Sequence, residues 1–196
     1  MKPARRIVLA SASPRRRELL TLLGLRFEAR AADLDEEPLP GESPAATAER
    51  LARAKAQAID PGPGEALVLG ADTVVVLDGA VLNKPRHRAE AERFLARLSG
   101  RTHDVITGLA VRACPEEDTV SERVVSRVTF APMSRDEIAW YAATGEGLDK
   151  AGAYALQGRG AVFVSAVDGS YTNVIGLPVE RLYLHLKRFG VLPRAT

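Results

Sequence analysis

The hydrophobic positions of this chain fall into short unbroken runs separated by stretches with helical spacing. Ile7, Val8, Leu9 and Ala10 form the first run, which reads as a buried strand. Ser13 and Pro14 then suit the N-cap and first position of a helix, because proline lacks an N–H that would be unpaired there anyway. Leu19, Leu22 and Leu23 predict that helix's apolar stripe, and Gly24 is placed to end it. Residues 25–30 read as a second short strand. Residues 31–41 are polar, with Asp33, Asp35, Glu36, Glu37, Pro38 and Pro40, and predict an acidic loop. Ser43 and Pro44 open a second helix by the same logic, with Ala48, Leu51, Ala52 and Ile59 as its stripe. Residues 66–77 are the most apolar stretch. Their β-branched content predicts a strand, and their lack of alternation predicts burial on both faces.

Asp78-Gly79 is a hairpin signal, followed by a return strand over residues 80–83. A helix over 88–98 places Ala91, Phe94, Leu95 and Leu98 inward and stops at Gly100. Residues 104–113 and 119–130 predict two long strands forming an antiparallel pair. Ser134-Arg135-Asp136-Glu137 is a capping box, and its helix runs to Ala143. A glycine-rich stretch over 145–160 suits close backbone approach to a ligand. Residues 161–167 read as a strand and 168–173 as a turn. Pro178 opens the last helix, with Val179, Leu182, Tyr183 and Leu186 inward. There is no internal repeat and no low-complexity segment.

Composition narrows the class more than the function. The 196 residues are enough for one domain with a full core or for two small lobes, and a single domain spanning 1–196 is expected. A net charge of +2 offers no argument for a nucleic-acid or membrane partner. No apolar run reaches the length of about 18 residues that a membrane helix needs, and the N-terminal apolar run is too short for a signal peptide. The single Cys114 excludes an intrachain disulfide and a cysteine metal cluster. A cytoplasmic protein is expected. Only five of the 27 basic residues are lysine, so each lysine raises a question, since its compact charge fits where arginine cannot.

Three features carry candidate chemistry. Arg15, Arg16 and Arg17 occupy a helix N-terminus, whose partial positive charge ordinarily attracts acids. They either point into water or surround an anion, and with the N–H groups and hydroxyls of Ser11 and Ser13 they would make a phosphate site. Asp72 lies within the most apolar strand, where a carboxylate needs a metal, a cation or a hydrogen-bond network. Lys55 falls on the inward stripe of the second helix and either snorkels outward or reaches an anion. Together these are the parts of a phosphoanhydride hydrolase: basic groups for phosphates, and carboxylates for a divalent metal and for the attacking water. There is no Walker A sequence. His87, His103 and His185 are scattered and read as surface or structural residues.

The segments Ser11-Ala12-Ser13-Pro14-Arg15-Arg16, Gly70-Ala71-Asp72-Thr73, Lys84-Pro85, Asp149-Lys150-Ala151-Gly152-Ala153-Tyr154, Gln157-Gly158 and residues 169–178 closely resemble the Maf family, in order along nearly the whole chain. The resemblance implies an α/β fold of Maf/ITPase-like type: a long twisted mixed β-sheet flanked by helices, with two lobes around a cleft. It implies a nucleoside triphosphate pyrophosphatase that cuts between the α and β phosphates. Asp72 resembles the family's catalytic residue and Glu36 a metal or water ligand beside it. The pair would hold a divalent cation, Mg or Mn. Lys55 and Lys84 resemble phosphate-contacting lysines, and Ser11, Arg15 and Arg16 a triphosphate cradle. Arg15, Thr73 and Gln157 match the branch acting on dTTP and UTP, rather than the branch resembling 7-methyl-GTP pyrophosphatases. The family also suggests a homodimer and a link to septum formation. Arg17 has no assigned role.

Overall fold

Ser13 caps the first helix as its sequence predicts: its side chain accepts from the Arg16 N–H at 3.5 Å, and Pro14 is the first helical residue. The computed structural model describes residues 5–191. Strand β1 (Arg6–Leu9) leads into helix α1 (Pro14–Leu22), and Gly24 follows with a φ of 67°, the left-handed conformation that ends a helix. The apolar stripe differs from expectation. Leu19 and Leu20 are buried, whereas Leu22 is 81% exposed. At roughly 100° per residue, Leu19, Leu20 and Leu23 share an arc whose middle also contains Arg16, while Leu22 and Arg17 fall outside it.

β1 pairs in parallel with β2 (Phe27–Ala29) and with β3 (Ala66–Leu77), placing Leu9 opposite both Ala29 and Leu69. β3 turns at Asp78-Gly79, where both residues have positive φ, into the antiparallel β4 (Ala80–Leu82). β5 (Thr102–Cys114), β6 (Asp118–Phe130) and β7 (Val164–Asp168) complete a mixed seven-stranded sheet. Its order is β2-β1-β3-β5-β6-β7, with β4 beside β3. The helices are α2 (Pro44–Ala58), α3 (Arg88–Leu98), α4 (Arg135–Ala143), the short α5 (Tyr171–Ile175) and α6 (Val179–Arg188). The class is therefore α/β.

The chain divides into two compact units. One comprises the described residues up to Asp72, Thr107–Val124 and those from Gly176 onward; the other comprises Thr73–Ile106 and Val125–Ile175. In the first, Val8, Ala10, Ala52, Ala56, Ile59, Val68 and Ala110 form one packed core. Two glycines let α2 lie directly on strand backbone. A Cβ at Gly70 would sit 2.0 Å from the Ala52 carbonyl oxygen, and one at Gly108 would sit 2.1 Å from that of Ala48. The carbonyls ending α2 are met by Arg112, which donates to Gln57 at 3.1 Å and Ile59 at 2.7 Å.

In the second unit Leu82, Leu95, Leu98, Val105, Val128, Phe130, Tyr141 and Tyr154 pack together. His103 is buried among them, with its Nε2 2.9 Å from the Tyr154 hydroxyl. His87 caps α3, its Nδ1 accepting from the Glu90 N–H at 3.2 Å. The capping box at Ser134 and Glu137 is formed.

Three local expectations are corrected. Residues 161–163 belong to a 3-10 helix, Arg159–Phe163, and the strand begins only at Val164. Just upstream the Arg159 and Gly160 N–H groups are held by a carboxylate, and the Ala161 N–H closes a turn on the Gly158 carbonyl at 3.1 Å. Residues 171–175 form α5 rather than a plain turn, because the Ser170 hydroxyl accepts from the Asn173 N–H and its carbonyl from that of Val174. Tyr183, expected inward on α6, is 40% exposed, and Leu182 and Leu186 alone are fully buried there.

Candidate functional site

The chemistry of the first unit gathers around one ammonium. Lys55 Nζ lies 2.6 Å from Asp72 Oδ1 and 2.6 Å from Glu36 Oε1. Each partner is delivered for a separate reason. Asp72 is carried by β3, buried on both sides. Lys55 follows from the seating of α2: Ala52 packs on Gly70, and Lys55 projects three residues later from the same apolar stripe. Asp72 and Lys55 are each 8% exposed, so the partner that a buried carboxylate requires is a lysine.

Glu36 has no helix or strand to hold it. Its loop is fastened instead by Arg50, which donates from Nε to Glu42 at 2.8 Å and from one terminal nitrogen to Glu42 at 2.9 Å and the Glu37 carbonyl at 3.0 Å. Glu42 also accepts from the Thr47 hydroxyl and the Leu39 N–H. The Arg50 hydrogen bonds, outweighing burial, bring the Glu42 carboxyl down to about 2. Neither Glu42 nor Arg50 stands out in the sequence. Their eight-residue separation links a loop to the second turn of a helix, which no periodicity reveals.

The arginine cluster resolves into three different environments. Arg16 donates from Nε to the Gly176 carbonyl at 2.8 Å and from one terminal nitrogen to the Ser11 hydroxyl at 3.2 Å. Ser11 also accepts from the Ser13 N–H at 3.1 Å. Burial, and then the neighbouring Arg15, lower the Arg16 guanidinium from its ordinary value, while Asp72 and Glu36 work against that shift. Arg16 thus lies within electrostatic reach of the Lys55 triad. Arg15 is half-buried and Arg17 exposed.

The remaining predicted residues lie in the second unit. Thr73 is half-buried in β3. Lys84 follows β4, exposed, with no hydrogen bond or ion pair among the described residues. Gln157 is exposed in a turn closed by the Gly158 N–H on the Ala155 carbonyl. The glycines around it serve packing within the protein rather than an opening for a ligand. A Cβ at Gly147 would sit 2.0 Å from the Ala153 carbonyl oxygen, and one at Gly158 would sit 2.2 Å from Glu146 Oε1. Glu146 was not singled out in the sequence, although an acid between two glycines just past a helix end is an available signal.

Two carboxylates and one ammonium leave a net negative charge. Hard oxygen donors of this kind suit Mg²⁺ or Mn²⁺, which are commonly bound by one or two carboxylates together with substrate phosphates. Among the described residues no group of three His, Cys, Asp or Glu forms an all-protein metal cage.

The Maf-like protein family profile matches residues 6–189, and the chain belongs to the Maf family. A dTTP/UTP pyrophosphatase of Symbiobacterium thermophilum is 50% identical over 184 residues, covering 94% of each chain. Proteins with the same name from Myxococcus xanthus and Geobacter sulfurreducens are 52% and 50% identical, covering 94% and 95% of this chain and 93% and 98% of theirs. Among solved structures, the Staphylococcus aureus Ham1 protein is similar with 16% identity and a TM-score of 0.43, over 65% of this chain and 72% of that one. No helix among the described residues is long and apolar enough to cross a membrane.

Proposed function

We propose that this chain hydrolyses dTTP and UTP to the nucleoside monophosphate and pyrophosphate. The observation that carries the reading is the buried Asp72–Lys55 pair with Glu36 on the same ammonium, in a chain half identical to proteins named for that activity. Asp72 takes a proton from a water molecule as the water oxygen attacks the α-phosphorus. The bond from that phosphorus to the α–β bridging oxygen breaks, and pyrophosphate leaves. A positioned base of this kind supplies roughly 10²–10⁴ in rate. Lys55 orients the Asp72 carboxylate through their 2.6 Å contact, and Lys55, Lys84, Arg15, Arg16 and Ser11 are the groups that contact the phosphates. Asp72 and Glu36 would hold the divalent cation, which when bound polarises the phosphoryl group. Gln157 reads the base edge through an amide that both donates and accepts, and Arg15 and Thr73 are the other two residues that the resemblance ties to base preference.

The resemblance extends the proposal to a cytoplasmic homodimer acting on free nucleotides, without nucleic acid. The test is a panel of nucleoside triphosphates with pyrophosphate release as readout. Turnover of dTTP and UTP above all others, abolished in Asp72→Asn, is the expected result. Faster turnover of 7-methyl-GTP would overturn the base preference. An unaltered rate in Asp72→Asn would overturn the role of Asp72 as base, and an Asp72→Asn protein that loses hydrolysis but keeps an effect on cell division would make a nucleotide-binding regulator of septum formation the better reading.

A further inference from the structure

Gln157 has no hydrogen bond of its own among the described residues, so only the backbone on either side sets where its amide points. That backbone converges on one side chain. Glu146 Oε1 accepts from the Arg159 N–H at 3.0 Å, and its Oε2 accepts from the Gly160 N–H at 3.1 Å. Oε2 also accepts from the Tyr141 hydroxyl at 2.7 Å, and that hydroxyl in turn accepts from the Ala155 N–H at 3.0 Å. The carboxylate therefore anchors residues 159 and 160 directly and residue 155 through Tyr141, bracketing Gln157.

The anchor is itself held. The Glu146 N–H donates to the Thr144 hydroxyl at 3.2 Å, and the Glu146 carbonyl accepts from Lys150 Nζ at 2.6 Å. A Cβ at Gly158 would sit 2.2 Å from Oε1, so a larger residue there would push the carboxylate from its place. An ionised carboxylate accepts on both oxygens and donates from neither, which three converging donors require. Burial raises its pKa, but the Tyr141, Arg159 and Gly160 hydrogen bonds prevail and hold it below the ordinary carboxylate value.

We propose that Glu146 is a positioning residue for base recognition, fixing the 155–160 turn so that the Gln157 amide meets the pyrimidine edge. The proposal rests on the reading of Gln157 as the base-reading group. Glu146→Gln is the sharp variant, because it keeps the shape but turns an N–H toward one of the three donors. Kinetics of the wild type, Gln157→Ala, Glu146→Gln and the double variant on dTTP, UTP and dCTP form the test.

The expected result for Glu146→Gln is a KM for dTTP and UTP raised about 10-fold, kcat within about 2-fold, and a preference over dCTP reduced about 10-fold. The double variant should lose no more preference than Gln157→Ala alone, since one residue acts through the other. A Glu146→Gln protein with a lowered melting temperature but unchanged preference overturns the positioning role alone. Unchanged preference in Gln157→Ala overturns the base-reading role itself. Tyr141→Phe, which removes one donor and keeps the ring, provides the same readout if Glu146→Gln does not fold.

Discussion

Lys55 Nζ lies 2.6 Å from Asp72 Oδ1, and both side chains are nearly excluded from water. Removing one member strands the other. Lys55→Met is expected to destabilise the fold by about 3–5 kcal/mol, as for other broken buried pairs, and to reduce dTTP turnover at least about 100-fold. Asp72→Asn in the Lys55→Met background should recover most of the stability and none of the activity. Lys55→Arg should rescue neither, because a planar guanidinium is broader than the ammonium it replaces. Denaturant midpoints and pyrophosphate release measure both effects, and wild-type stability in Lys55→Met would contradict the account.

Gly70 is two residues from Asp72, and its missing side chain is what lets α2 approach. Gly70→Ala would drive a methyl into the Ala52 carbonyl, at 2.0 Å, so the helix must move. Overpacking of this kind costs typically about 1–3 kcal/mol. The helix that moves carries Lys55, so activity should fall even at temperatures where the variant is fully folded. Turnover at 15 °C, alongside circular dichroism at the same temperature, separates the two effects. Full activity in a folded Gly70→Ala would show that α2 has slack.

These contacts mark where the sequence was readable. A charge inside an apolar strand, as at Asp72, and a lysine on an alanine-rich stripe, as at Lys55, are visible because each breaks a local rule. Their meeting is not local, since it depends on Gly70 and Gly108 admitting the helix. Ser13-Pro14, Ser43-Pro44 and the Ser134 capping box announced their helices because capping is a matter of adjacent residues. Glu36 came from family resemblance alone, since an exposed loop acid carries no pattern. Leu22 misled because a leucine counts as apolar wherever it falls on the wheel. Residues 161–163 misled because they are apolar, while the 3-10 helix they continue starts at Arg159, whose N–H is held by a carboxylate more than ten positions upstream.

His103 predicts an acid-side loss of stability. Burial brings its imidazole down to about 4 from 6.5, so it is neutral when folded and protonated when unfolded between those values. The unfolded state binds the extra proton, and stability therefore falls as pH drops from 6.5 toward 4, by about 3 kcal/mol in all, and levels off below. His103→Gln should lack that slope. Denaturant midpoints at pH 7 and pH 4.5 for both proteins test it, and parallel losses would assign the slope to other groups.

The Arg50–Glu42 clasp predicts a metal effect without a change in chemistry. Arg50→Met frees the Glu37 carbonyl and loosens the loop that carries Glu36. If Glu36 helps hold the cation, the Mn²⁺ concentration giving half-maximal turnover should rise about 10-fold, the lower end for supporting partners. The rate at saturating Mn²⁺ should change little. An unchanged Mn²⁺ dependence would separate Glu36 from metal binding.

Arg16 reaches across 160 positions to the Gly176 carbonyl. During synthesis the N-terminal arginines emerge early, with β1 and its parallel partners able to pair once residue 69 has followed. The Arg16 Nε lacks its Gly176 acceptor until residue 176 has left the ribosome, just before α6 completes the described fold. A nascent chain can thus acquire its Asp72–Lys55 pair long before it can clamp Arg16, so the Arg16–Gly176 contact is among the last parts of the described fold to be finished.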